Sequence, residues 1–320
     1  MMNGWVSQRV DRARAPQNRT IVLSDEERAR LRSSLLELDT PEPAGCPPTG
    51  IALGDYRDWL PRIPREKFDL LFLDPPYNMD KTFNGRTFRR SHPSNYSLWL
   101  GEVIEGLVPL LRSTASVYIC GDWLTSHSIF EAASRHLIIR NRITWEREKG
   151  RASLANWKNN SEDIWFCTLG KSYTFNADAV KLRRRVIAPY RTPQGLPKDW
   201  SETSEGGFRD TSPSNLWNDI TVPFWSMPEN TDHPTQKSEK LLARVLLASS
   251  NPGDFVLDPF LGSGTSAVVA HKLGRRALGI EIDEEYCLLA ARRLELAEAN
   301  PVIQGWDGEV FWERNSSPRR

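Results

Sequence analysis

The segment Phe255–Glu281, "FVLDPFLGSGTSAVVAHKLGRRALGIE", constrains the fold of this chain more than any other. An apolar run stops on an aspartate, a glycine loop follows, then a helical stretch, then a second apolar run that stops on an acid. A continuously apolar strand is buried on both faces, as in a parallel sheet covered by helices. Two such strands joined through a helix commit the chain to an α/β layer architecture. Gly262 and Gly264 can take conformations and close approaches that a Cβ forbids. Glu281 follows the loop by about twenty residues, where an acid accepts both hydroxyls of a ribose. Gly262-x-Gly264-x-x-Ala267 with Glu281 also satisfies a loose dinucleotide fingerprint. On its own the unit serves an NAD-dependent oxidoreductase almost as well.

The same alternation recurs upstream. "GIALGD" is a short strand closing on Asp55, and "FDLLFLD" (68–74) is an apolar run closing on Asp74. An amphipathic helix over 96–112 follows, then strands at 115–122, around Ile143–Trp145 and at 162–170. The pattern predicts a doubly wound, mostly parallel, seven-stranded Rossmann-like sheet with helices on both faces. Residues 1–48 read as an N-terminal arm. Within it Ser24 and Glu27 form a capping box that predicts a helix over about 25–38. Regularity lapses across 171–232, which is rich in Pro, Ser, Arg, Trp and Gly, and a long irregular stretch inside a compact domain is usually functional. The chain thus divides into an arm (1–48), a first half (49–170), an inserted region (171–232) and a second half (233–320).

Four cysteines are scattered without a CxxC pair, so neither a metal site nor a disulfide framework is expected. No run approaches the ~20 apolar residues of a membrane span, and no apolar signal core opens the sequence. The expected location is the cytoplasm, with no membrane partner. Net charge is only +1, yet basic residues cluster: Lys81, Arg86, Arg89 and Arg90 in one run, Lys181, Arg183, Arg184, Arg185 and Arg191 in another. Local basic patches on a neutral chain suit a protein that grips a polyanion on one face, although either run alone reads as a solvated loop.

Two further features narrow the ligand. Asp258 precedes the glycine loop, where it would repel a diphosphate and welcome an ammonium or sulfonium. "HPTQK" places His233, Thr235 and Lys237 at a helix start, an anion site suited to a carboxylate. A ligand with a ribose, an amino group and a carboxylate is S-adenosyl-L-methionine.

"DPPY" at 74–77, "HPTQK" at 233–237 and "DPFLGSGT" at 258–265 together resemble the amino-group DNA methyltransferases of the beta class. In that class the catalytic motif precedes the cofactor loop, with the target-recognition region between them. The order here is the same circularly permuted one, and the resemblance covers residues 49–297. It implies methyl transfer from S-adenosyl-L-methionine to adenine N6 in double-stranded DNA after base flipping. Cytosine-N4 or RNA methylation by the same architecture is the nearest alternative, and a scaffold without activity would need a broken motif. The Asp74 carboxylate and the Pro75 carbonyl would accept hydrogen bonds from the target amine, with Pro75 and Pro76 fixing the turn and Tyr77 offering a stacking face. An aspartate at position 74, rather than serine, goes with adenine.

Carried over residue by residue, the resemblance puts Asp55 on the cofactor's adenine, Glu281 on the ribose and Asp258 on the methionine amino group. Phe260, Gly262, Ser263, Gly264 and Thr265 line the loop, Asp74 also faces the cofactor, and His233, Thr235 and Lys237 take the carboxylate end. Ser238 departs from the family, which often has proline there. Lys81, Arg86, Arg89 and Arg90 would close over the extruded base. Arg183, Arg184, Arg185 and Arg191 would contact phosphate or guanine. A cognate restriction endonuclease is an expected functional partner, and homodimerisation is left open.

Overall fold

The computed structural model describes residues 15–39, 45–83, 86–147, 155–187, 190–204 and 206–314. The first helix, α1 (Asp25–Arg32), is capped as expected: the Ser24 hydroxyl accepts from the Glu27 N–H, and the Glu27 carboxylate from the Ser24 N–H. It is shorter than the expected 25–38. Ser33 and Ser34 turn their hydroxyls back onto the Arg30 and Leu31 carbonyls and close the last turn there. Leu36 then bridges in parallel to Ala52, laying the arm along the sheet edge.

The first half comprises β1 (Gly50–Leu53), α2 (Tyr56–Trp59), β2 (Phe68–Leu73), the hairpin β3 (Lys81–Phe83) and β4 (Arg86–Phe88), and α3 (Pro93–Leu107). It continues through β5 (Leu111–Gly121), α4 (Ser126–Ala133), β6 (Ile138–Glu146) and β7 (Ser161–Thr168). The middle region carries β8 (Leu182–Arg185), β9 (Ser201–Thr203), β10 (Gly206–Thr211) and β11 (Leu216–Trp217). The last part carries α5 (Glu239–Ser249), β12 (Phe255–Asp258), α6 (Thr265–Lys272), β13 (Arg276–Glu281), α7 (Glu284–Ala299) and β14 (Phe311–Trp312). α3 ends at Leu107, before the expected residue 112, because a 3-10 turn containing Pro109 follows it.

The main sheet runs β1-β13-β12-β2-β5-β7-β6-β11. The seven expected strands are present, and the two-residue β11 adds an eighth at the edge. From β1 to β5 all pairings are parallel, whereas β7 runs antiparallel to both β5 and β6. β2 shows why an unbroken apolar run was needed. Leu70 and Phe72 face the core shared with α5, α6 and α7, while Leu71 and Leu73 face the one shared with α3 and α4. The permuted connectivity seats β2 directly beside β12, so the acids that end the two strands emerge side by side.

The inserted region is less irregular than expected. It holds a second sheet, β14-β8-β10-β9, which borrows its edge strand from the far end of the chain and so crosses the boundary drawn at 233. "LRRR" gives no apolar alternation by which β8 could be read. Three arginines of the arm also acquire a role: Arg28, Arg30 and Arg32 of α1 pair with Glu285, Glu295 and Glu284 of α7. Among the described residues no helix is long and apolar enough to cross a membrane.

Candidate active site

The carboxyl ends of β1, β2, β12 and β13 surround a cavity of about 360 Å³, lined by Asp55, Asp74, Asp258 and Glu281. A crevice at the carboxyl ends of parallel strands is where such sheets bind ligands. At its centre Asp74 Oδ2 lies 2.6 Å from Lys237 Nζ, and Asp74 Oδ1 accepts the Tyr77 hydroxyl at 3.0 Å. The same Nζ is 3.1 Å from the Tyr77 oxygen and 3.5 Å from Glu162 Oε2. Arg147 holds the other Glu162 oxygen. Lys237 is 5% and Glu162 2% exposed, and with Asp74 and Arg147 they form a charge-balanced cluster of two acids and two cations. Burial opposes the Lys237 charge, but Asp74 and Glu162 outweigh it and hold the ammonium above the ordinary lysine value. Burial and the same two acids drive the Tyr77 phenol far upward, so it is a neutral donor.

These contacts give Lys237 partners within the chain, alongside its expected place at a cofactor carboxylate. The lysine directly precedes Ser238, the N-cap of α5, and its side chain reaches the tip of β2. Its carbonyl accepts the Thr265 hydroxyl at 3.0 Å, which ties it to the glycine loop. Ser238 accepts the Leu241 N–H at 3.3 Å and so starts the helix as a cap where the family often has proline. At His233 burial, then Lys237, pushes the imidazole down to about 3, so the ring is neutral. Its ring packs edge-on against Tyr286 with centroids 4.4 Å apart. A Cβ on Gly262 would fall 2.9 Å from His233 Nε2, so glycine is what lets the loop and ring meet. Thr235 lines the cavity beside them.

The Pro75–Pro76 turn is anchored from α3, where Tyr96 donates to the Pro76 carbonyl at 3.0 Å. Glu281 orders the loop from the other side, accepting the Gly262 N–H at 2.8 Å and the Asp283 N–H at 2.9 Å. Asp258 is 4% exposed; its close partners are the Ser266 hydroxyl and the Phe260 N–H. Burial, with Asp74 and Glu281 nearby, raises its carboxyl to about 7. An acid in that setting fits a ligand that brings a cation. Arg293 secures the loop from behind, donating to the Ser263 carbonyl and the Thr265 hydroxyl at 2.9 Å each. Gly264 sits at φ 87°, and a Cβ there would meet Ala290 Cβ at 2.5 Å. Phe260 packs on Tyr56, and Asp55 caps α2 through the Arg57 N–H at 3.0 Å.

The basic residues divide. Arg183 is spent on structure: the β8–β10 register sets it opposite Asp210, which it grips with two bonds of 2.7 Å, and it lies over the Trp312 ring. Arg191 covers the Trp200 ring and donates to the Gly195 carbonyl. Arg184, Arg185, Arg89 and Arg90 are exposed. Lys81 lines the cavity, and burial, then Arg147 and Lys237, lowers its ammonium. The side chain of Arg86 lies outside the described residues. Glu162 and Arg147 were missed altogether. β7 reads locally like its parallel neighbours, but because it runs antiparallel its first residues lie at the Asp74 end of the sheet. The acids that open "SEDIWF" were the available signal.

A Rossmann-like sheet whose glycine loop faces an acid–proline–proline–tyrosine tip is the framework of a class of methyltransferases. The family model described as DNA methylase matches residues 68–292. DNA adenine methyltransferase YhdJ of Escherichia coli is 36% identical over 267 residues, 79% of this chain and 87% of that protein. Type II methyltransferase M.HpaI of Haemophilus parainfluenzae is 31% identical over 239 residues, 74% of this chain and 71% of that one. Among solved structures, the cytosine-N4-specific PvuII DNA methyltransferase shares the fold with a TM-score of 0.59 and 17% identity, covering 84% of this chain and 92% of its own. The chain belongs to the N6/N4 DNA methylase family.

Proposed function

We propose that the protein methylates the N6 amine of adenine in double-stranded DNA, with S-adenosyl-L-methionine as donor. The observation that carries this reading is an aspartate, not a serine, at the tip of β2 beside the glycine-loop strand, in a chain 36% identical to a DNA adenine methyltransferase. An adenine amine is a poor nucleophile because its lone pair is delocalised into the ring. The Asp74 carboxylate and Pro75 carbonyl would accept its two N–H bonds, favouring a tetrahedral nitrogen with its lone pair free to attack. Tyr77 offers a face to a base extruded from the duplex, offsetting an unstacking cost of a few kcal/mol. S-adenosyl-L-methionine, when bound, supplies a sulfonium-activated methyl group. Asp258 would hold its amino group, Glu281 its ribose hydroxyls and Asp55 its adenine, while Phe260 and the loop backbone cover it. Exposed Arg184 and Arg185 on the second sheet support residues 171–232 as the target-recognition region. The Type II designation of M.HpaI favours a restriction–modification setting.

Random-sequence duplex DNA incubated with isotopically labelled methyl donor, then digested to nucleosides, tests the reading. Label in N6-methyldeoxyadenosine is the expected result; label in N4-methyldeoxycytidine would overturn it.

A further inference from the structure

We infer that Glu162 is a positioning residue of this active site, the second carboxylate that receives the Lys237 ammonium when Asp74 turns to the target amine. The inference rests on the amine-methylating reading above. Both oxygens of Asp74 are engaged, Oδ2 by Lys237 at 2.6 Å and Oδ1 by Tyr77 at 3.0 Å. A carboxylate clasped this tightly by an ammonium is a weakened acceptor for a neutral N–H. The lysine has to loosen for Asp74 to polarise the amine, yet a buried ammonium cannot be left without an anion.

Glu162 resolves the conflict by position. It stands 3.5 Å from the same Nζ and 3.2 Å from the same Tyr77 hydroxyl. Asp74 lines the cavity; Glu162 does not. A small swing of Nζ therefore moves the positive charge from the acid that meets substrate to the one that does not. Tyr77 can follow by moving its hydrogen bond from Asp74 to Glu162. Arg147 fixes the other Glu162 oxygen, so the receiving carboxylate stays in place during the exchange. The cluster keeps the same total charge before and after, and no proton need cross it.

A double-mutant cycle tests this, read as single-turnover methyl transfer to DNA alongside donor affinity. Glu162→Gln keeps the shape and removes the anion. It is expected to slow transfer by about 10–100-fold, as misplacement of a reacting group does. Donor affinity should change by less than about twofold, since Glu162 does not line the cofactor cavity. In a Lys237→Gln background the same substitution should add less than about threefold, because the two residues act as a unit. Wild-type rate in Glu162→Gln, or penalties that multiply across the two backgrounds, would overturn the inference. Should Glu162→Gln fail to fold, Glu162→Asp serves. It keeps the charge but withdraws it by one methylene, and should slow transfer only where Lys237 is present; slowing in both backgrounds overturns the inference. Total label on DNA is counted, so a cytosine product would remove the adenine reading and leave the cycle interpretable.

Discussion

Asp258 shows how one buried acid links stability, ligand and pH. Its carboxyl is raised from the usual aspartate range to about 7, first by burial. An acid raised on folding favours the native state at low pH, and that contribution is lost as pH climbs from about 4 to about 7. Three pKa units correspond to roughly 4 kcal/mol. The ligand-free protein should therefore melt lower at pH 8 than at pH 6, and Asp258→Asn should reduce that dependence, leaving the part that buried Glu229, raised to about 8, contributes with the same sign. Binding of the donor should run the opposite way, tightening as Asp258 ionises through pH 7 and losing this pH dependence in Asp258→Asn. Calorimetric melts and donor titrations at pH 6 and pH 8 check both slopes. At this scale much was legible: Asp74, Asp258 and Glu281 each end an apolar run, and a strand-end acid is visible in one dimension. What Lys237 touches was not legible. Its partner lies 163 positions away, and the two meet only through the tertiary fold.

Between elements, a buried ion cluster joins the inserted region to α5. Asp219, just past β11, takes two bonds of 2.9 and 2.7 Å from Arg244 and an ion pair of 2.8 Å from Lys240, all three buried. Burial alone would raise its carboxyl, yet Arg244 and Lys240 bring it down to about 2. Removing one partner of such a cluster strands buried charge and typically costs about 3–5 kcal/mol. Asp219→Ala should therefore lower the denaturation midpoint strongly. Arg28→Ala on α1, which breaks a half-exposed pair with Glu285, should shift the midpoint far less. Denaturant melts of the two variants give the contrast directly. α1 was readable from its capping box, a purely local signal. The β8–β10 pairing was not, because strands of four and six residues rich in Arg, Gly and Asp carry no apolar period.

For the whole molecule, a net charge of +1 means that attraction to DNA depends on where cations stand rather than on how many there are. Arg184→Ala should reduce the slope of log affinity against log salt by about 1, the signature of one lost phosphate contact. Arg183→Ala should leave the slope unchanged and lower thermal stability, since that guanidinium is spent on Asp210. Binding measured across a salt series, alongside melts, separates the two. The interleaving of β2 between β12 and β5 has a consequence in time. During synthesis the segment bearing Asp74 leaves the ribosome long before Lys237, the glycine loop or β13, the strand to which β1 pairs. A half-made chain carries Asp74 but has neither Lys237 nor the glycine loop. The permuted order therefore leaves the cavity unassembled until the segment through Glu281 has followed.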